Sequence, residues 1–375
     1  MKVVVAIDSF KGSLSSIEAG QAVKAGVLAA HPDANVIIKP LADGGEGTTD
    51  AFIEGLGGQR IDLTVTGPMG SPVSCYYGYL EKDKTAIIEM ASASGITLVP
   101  AHQKNPLIAS TRGVGEMILD ALEKGCRNFI IGIGGSATND AGIGMLKALG
   151  YSFLDEQGLD VGEGAQALGK VASIDAKNRH PLLDDCQFRI ACDVTNPLCG
   201  ENGATYIYGP QKGVTEAQKE SLDQDMAHFA DVTETTLNCA FKNYPGAGAA
   251  GGLGFAFLSY LHASLSPGVE LILDAINLSD ALNGADIVVT GEGQLDRQTA
   301  MGKAPVGVAK LAKAHGAKVL AFSGSVTKEA VACNQAGIDA FFPILRRIVT
   351  LEEAMDPSTA RSNMTASVEQ VFRLL

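Results

Sequence analysis

The chain contains no tryptophan, no Cys-x-x-Cys or His-x-x-x-His pair, no surplus of basic residues and no long apolar run. With 42 acidic against 29 basic residues and a formal charge of −13, it lacks the broad basic face that nucleic acid or an anionic membrane surface demands. Neither is expected as a partner, and any anionic ligand must be held by a local cluster of donors. Seven cysteines, at 75, 126, 186, 192, 199, 239 and 333, are scattered and odd in number, which suits reduced thiols in a cytoplasmic protein. Six dispersed histidines exclude a zinc site of ordinary spacing. No stretch approaches the ~18 apolar residues of a membrane span. The short run before Asp8 does not reach the apolar core of a signal peptide, so a soluble protein is expected.

What the chain has in excess is glycine, 44 in 375 residues, or about 12% against a usual ~7%. These glycines follow no period of three, which excludes collagen, and they cluster between apolar runs, which argues against a flexible linker. Hydrophobic residues make up 46% of the chain, enough for a large core. Short β-branched runs alternate with longer Ala/Leu/Lys/Glu stretches of helical period, which makes the fold α/β. Strands are expected at 2–7, 35–39, 61–66, 73–80, 85–90, 128–133, 188–192, 286–290, 318–322 and 339–343. Helices are expected at 15–30, 112–124, 139–149, 215–230, 250–263, 303–315 and 363–374. Runs such as VVVAI and IVVT carry no polar alternation and suit parallel strands covered on both faces. Residues 61–90 read as an antiparallel insertion or a domain crossover, and 155–185 as a polar excursion.

Several Gly-rich loops follow directly on apolar strands, where open α/β sheets place ligands. In the first, Asp8, Ser9, Lys11 and the serines before a helix fit either a capped turn with a solvated lysine or a phosphate site made by Lys11 and free helix N–H groups. In the second, Asp43 and Glu46 stand three apart beside three glycines and suit Mg²⁺. In the third, Gly132, Gly134 and Ala137 match Gly-x-Gly-x-x-Ala in a loop that also carries Gly135, Ser136, Thr138, Asn139 and Asp140, and Tyr151 to Leu154 ends in Asp155 at about the distance of a ribose contact. That unit supports either an NAD-dependent dehydrogenase over 132–155 or, given its hydroxyls and acid, a loop for phosphate and metal. The fourth, 245–254, contains Gly-x-Gly-x-x-Gly but follows no convincing strand and suits a glycine-packed helix start equally well. The fifth places Glu292 and Asp296 four apart after the strand DIVVT, with Lys303 beyond. Asp193 ends the strand FRIAC, where it is either a barely solvated proton acceptor or the start of a turn. Arg112 is either a bidentate carboxylate grip or a surface residue.

Taken in order, DSFKGSLS, LADGGEGT, EMASASG, STRGVGE, GIGGSATNDAG, CDVTNPLCGENGA, YGPQKG, PGAGAAGGLG and VTGEGQLD resemble the type-1 glycerate kinase family over nearly the whole chain. The resemblance implies phosphorylation of D-glycerate by ATP and Mg²⁺, typically giving 2-phosphoglycerate, with 3-phosphoglycerate the alternative. It also implies two α/β domains with a cleft between them, one formed by 1–66 plus 284–375 and the other by 67–283. Two positions depart from the family pattern: Ile7 stands where proline is usual, and Gln294-Leu295 where Arg-Ile is common, which removes a cation. On this reading Lys11 neutralises phosphate, Gly134, Gly135, Ser136, Thr138 and Asn139 cradle the nucleotide phosphates, and Asp43, Glu46 and Glu292 hold Mg²⁺. Asp193 is the expected base with Asp296 behind it, Asp8 and Ser9 contact substrate, and Arg112 and Lys212 bind the glycerate carboxylate. A homo-oligomer is left open.

Overall fold

The computed structural model describes residues 1–41 and 47–375, so Asp43 and Glu46 lie outside the described residues. In chain order the strands are β1 (Lys2–Ile7), β2 (Asn35–Pro40), β3 (Gln59–Thr66), β4 (Pro72–Leu80), β5 (Thr85–Glu89), β6 (Asn128–Gly132) and β7 (Ser152–Leu154). They continue with β8 (Ser173–Asp175), β9 (Gln187–Ala191), β10 (Ser264–Ser266), β11 (Ile287–Leu295), β12 (Lys318–Val326) and β13 (Ala340–Pro343). Helices alternate with them, and the chain divides into two compact units, Met1–Gly57 with Val269–Leu375, and Gly58–Gly268. These bounds differ from the expected ones for two reasons. β3 pairs along its whole length with β4, from Gln59↔Tyr79 to Thr66↔Pro72, and so belongs to the middle of the chain. The helix Leu278–Leu282 rests on the helix Ala304–Ala314 and so belongs to the discontinuous unit.

The first unit holds a five-stranded parallel sheet in the order β13-β12-β11-β1-β2. Val3 to Ile7 are all at most 1% exposed, as an unbroken apolar run covered on both faces requires. On one face Val3, Val5, Ile7, Val289 and Phe322 pack with Val23, Val27, Met364 and Phe372 of the helices Ser16–Ala30 and Pro357–Phe372. The alternate residues Val4, Val288 and Val319 are equally buried, and Ala304–Ala314 lies against β11 and β12. Each such side chain contributes about 1.5–3 kcal/mol on burial. The chain leaves β1 toward β2 on one side, and β11 toward β12 on the other. The winding therefore reverses between β1 and β11, and their carboxyl ends form the crevice where open α/β sheets bind ligands.

The second unit holds a six-stranded sheet in the order β10-β9-β6-β5-β4-β3, parallel from β10 to β5 and antiparallel through β4 and β3. Phe129 on β6 stacks on Phe188 on β9 with ring centroids 4.7 Å apart, at the centre of its core. The expected second Rossmann strand is overturned here. Ser152–Leu154 leaves the sheet and pairs antiparallel with β8, and Asp155 spends Oδ1 on the N–H groups of Gln157 and Leu159 at 2.9 Å each. Without an adjacent parallel strand, 132–155 is not a dinucleotide unit. Among the described residues no helix is long and apolar enough to cross a membrane.

Candidate active site

At the crevice of the first unit, Asp8 follows Ile7 and its N–H donates to Gly291 O at 2.9 Å, which locks the ends of β1 and β11 together. Asp8 is 4% exposed and accepts the N–H of Ser9 on Oδ1 at 2.6 Å. The chain then doubles back, Phe10 N–H donating to Leu14 O at 2.8 Å, and Lys11 is left exposed at the tip. Ser15 caps the following helix in a reciprocal pair with Glu18. Two N–H groups expected to be open to phosphate are therefore taken, and the cation at this turn is Lys11. Ser16 Oγ donates to Ile7 O at 2.7 Å and accepts Leu41 N–H at 2.9 Å, fixing the helix to both strand ends.

On the β11 side, Glu292 is 8% exposed and accepts the Thr299 hydroxyl on Oε1 at 2.6 Å. Asp296 caps the short helix Arg297–Ala300, Oδ1 accepting the N–H groups of Gln298 at 2.7 Å and Thr299 at 3.1 Å. Thr299 thus bridges the two carboxylates, and Asp296 Oδ2 has no partner among the described residues. Asp8, Ser9, Lys11, Glu292, Asp296 and Lys303 line a cavity of about 450 Å³. Ser13 also lines it, and its Oγ is buried without a hydrogen-bond partner. Phe10, Ile344, Leu345, Leu351 and Met355 add an apolar lining, and no motif in the sequence pointed to the part from 344 to 355.

Magnesium fits this donor set. Mg²⁺ is held by one or two carboxylates together with phosphate oxygens and water, and Glu292, in the wall of the cavity, offers such a carboxylate. Among the described residues no group of three or more His, Cys, Asp or Glu side chains is placed to hold a metal ion.

In the second unit the Gly-rich loop after β6 is turned inward. Gly134 and Gly135 are exposed, Ser136 is 6% exposed, and Thr138, Asn139 and Asp140 are fully buried. Asp140 accepts the N–H and hydroxyl of Thr111 at 2.9 and 2.8 Å and the N–H groups of Gly142 and Gly144 at 3.2 and 3.3 Å. Burial pushes its carboxyl above the usual range, against these four bonds. Winding 140–144 around this carboxylate draws Thr138 and Asn139 below the surface, so the helix begins at Ile143 and not at the expected 139. Asn139 Nδ2 donates to Thr205 Oγ1 at 3.0 Å.

Lys212 lies under the same loop, 2% exposed, with Nζ donating to Ser136 Oγ and Thr138 O at 2.7 Å each. Burial pushes its ammonium down to about 7, and the charge of Asp140 opposes that fall. Arg112 directs Nε and Nη2 onto Glu163 Oε1, while Ser110 Oγ donates to Glu163 Oε2 at 2.6 Å. Both cations expected to meet a substrate carboxylate are thus bonded within the protein, and Glu163, in the polar excursion, was not foreseen. Asp193, expected to be barely solvated, is exposed. β9 ends at Ala191, and the carboxylate accepts Gly268 N–H at 2.9 Å beyond the strand.

A family model described as the glycerate kinase family matches residues 3–375. The chain is 46% identical over 366 residues to a protein of Bacillus subtilis named glycerate kinase, covering 98% of this chain and 96% of that one. It is 47% identical over 354 residues to a protein of Escherichia coli named glycerate 2-kinase, covering 94% and 93%. A crystal structure from Salmonella typhimurium LT2, provisionally designated glycerate kinase 2, aligns with a TM-score of 0.92 and 42% identity over 100% of this chain and 98% of that one.

Proposed function

The chain belongs to the glycerate kinase family, and from that premise we propose that it transfers the terminal phosphoryl group of ATP to the 2-hydroxyl of D-glycerate with the help of Mg²⁺. Phosphoryl transfer asks the protein for positioning, charge neutralisation and a proton acceptor, with little covalent chemistry of its own. The observation that carries the reading is the crevice between β1 and β11, where Lys11 and Lys303 line one cavity with Glu292 and Asp296. Lys11 and Lys303 neutralise phosphate. Glu292 would hold Mg²⁺ directly or through water, and the ion would supply positive charge at the phosphate oxygens. Asp8 and Ser9 order the turn that presents Lys11.

Two carboxylates compete for the hydroxyl proton. Asp296 lines the cavity with an unpartnered Oδ2, whereas Asp193 is exposed and caps a backbone N–H, so the geometry favours Asp296. The exposed Gly134 and Gly135 donate to no other backbone group among the described residues and suit an anion, while Lys212 holds their loop from beneath. The 2-position is favoured by the relative named glycerate 2-kinase, and the 3-position is the alternative. Seven free thiols suit a reducing cytoplasm. The direct assay is ADP release from MgATP. It is expected to depend on D-glycerate, and ADP release indifferent to D-glycerate would sink the reading.

A further inference from the structure

We propose that the apolar wall of the first unit's cavity, built from Ile344, Leu345, Leu351 and Met355, holds the purine of the nucleotide. This deepens the kinase reading above, on which it rests, by assigning the base to the first unit. A cavity of about 450 Å³ falls in the range that encloses a drug-sized ligand, and a three-carbon acid would fill little of it.

The lining is divided in polarity by chain segment: the strand ends bring Asp8, Lys11, Glu292, Asp296 and Lys303, whereas 344–355 bring the aliphatic Ile344, Leu345 and Leu351 with Met355. Every carbon of glycerate bears oxygen, so glycerate would leave that aliphatic wall facing water. A nucleoside triphosphate has a flat, weakly polar base at one end and a polyanion at the other, and it matches both parts of the lining. Leu345 and Leu351 are 38% and 75% exposed, although both line the cavity. Scattered exposed leucines are ordinary, but two on the wall of one cavity form a surface that a planar ring would cover.

Apolar wall and cation form one surface. Gly12, next to Lys11, has φ +76, and a Cβ placed there would lie 2.7 Å from Met355 Cε. The Lys11 turn therefore packs directly on the apolar wall, which lets one ligand touch both. Buried, unpartnered Ser13 Oγ adds a polar atom at the same turn.

The test is isothermal titration calorimetry of the full chain with two probes, MgATP and magnesium tripolyphosphate, which carries the phosphates without the base. The double variant Leu345→Ser/Leu351→Ser is expected to bind MgATP about tenfold or more weakly, with tripolyphosphate affinity and Tm unchanged. Ile348→Ser, at a fully exposed residue outside the lining, is expected to bind MgATP as the parent does. If the double variant keeps the parent's MgATP affinity, or loses both probes equally, the assignment of the purine fails while the kinase reading stands. A parent that binds no MgATP overturns both.

Discussion

Lys212 departs furthest from the ordinary behaviour of its residue type: a lysine with 2% of its surface exposed, bonded to a hydroxyl and a peptide carbonyl. Its ammonium is pushed down to about 7 from an ordinary 10.5. Above pH 7 the folded protein gives up this proton while the unfolded chain keeps it until about 10.5, so stability rises with pH across that window. Below pH 7 both states are charged and the cost of burial is fully felt. The Tm of the parent minus that of Lys212→Met is accordingly expected to increase between pH 7 and pH 9, and a constant difference would contradict the burial argument. Asp140 makes a second residue-level case. Asparagine there keeps an oxygen for Thr111 and Gly144 but turns its amide toward the Gly142 N–H, stranding a buried donor, and urea unfolding is expected to show a loss of about 1–3 kcal/mol. For the base, Asp296→Asn keeps the helix cap and is expected to lower kcat by about 10²-fold or more at unchanged Tm, while Asp193→Asn stays within about threefold. The reverse pattern would return the role to Asp193. The sequence showed that these acids and lysines sit beside glycines. It did not show which way each points, because that depends on distant partners such as Thr111 for Asp140 and Glu163 for Arg112.

Among the elements, the two Gly-rich segments of the second unit act as a pair. The Ala141 N–H donates to Gly251 O at 2.9 Å, and Gly251, at φ +70, would place a Cβ 2.1 Å from Thr138 O, the carbonyl that Lys212 holds. The Gly-x-Gly-x-x-Gly at 246–251 is therefore a packing surface for the loop after β6, and the glycine-packed reading of the sequence is the one realised. Gly251→Ala adds left-handed strain to a backbone collision and is expected to cost about 2 kcal/mol or more in urea unfolding. The apolar strands were legible because VVVAI and IVVT have no other use than burial on two faces. The three-residue strands β7, β8 and β10 were not, since segments that short and part-polar carry no period. The last helix starts at Pro357, six residues before the expected 363. Asp356 accepts Thr359 N–H at 2.8 Å, and Pro357 occupies the first turn, an N-terminal signal present in the sequence but outside the periodic stretch. The wall at 344–355 was missed for the opposite reason: its residues gain meaning only where β13 and the following helix Leu351–Met355 meet the Lys11 turn.

For the whole molecule, a surplus of acid is compatible with anionic ligands, because the charge that matters is local. Lys11 and Lys303 stand at the cavity, and the carboxylates among them suit an ion brought in with phosphate. The α/β class and the family were legible along the whole chain, through motifs that fall at strand ends. The limits of the units were not, since β3 is assigned by its eight-residue pairing with β4 and not by any feature of its own sequence. The bond that the enzyme makes, phosphate to the 2-oxygen of D-glycerate, is tested most directly by product analysis. After incubation of the full chain with D-glycerate and MgATP, phosphorus-coupled proton NMR is expected to show the phosphate on the C2 methine. A phosphate on the C3 methylene, or no phosphorylated glycerate at all, would contradict it.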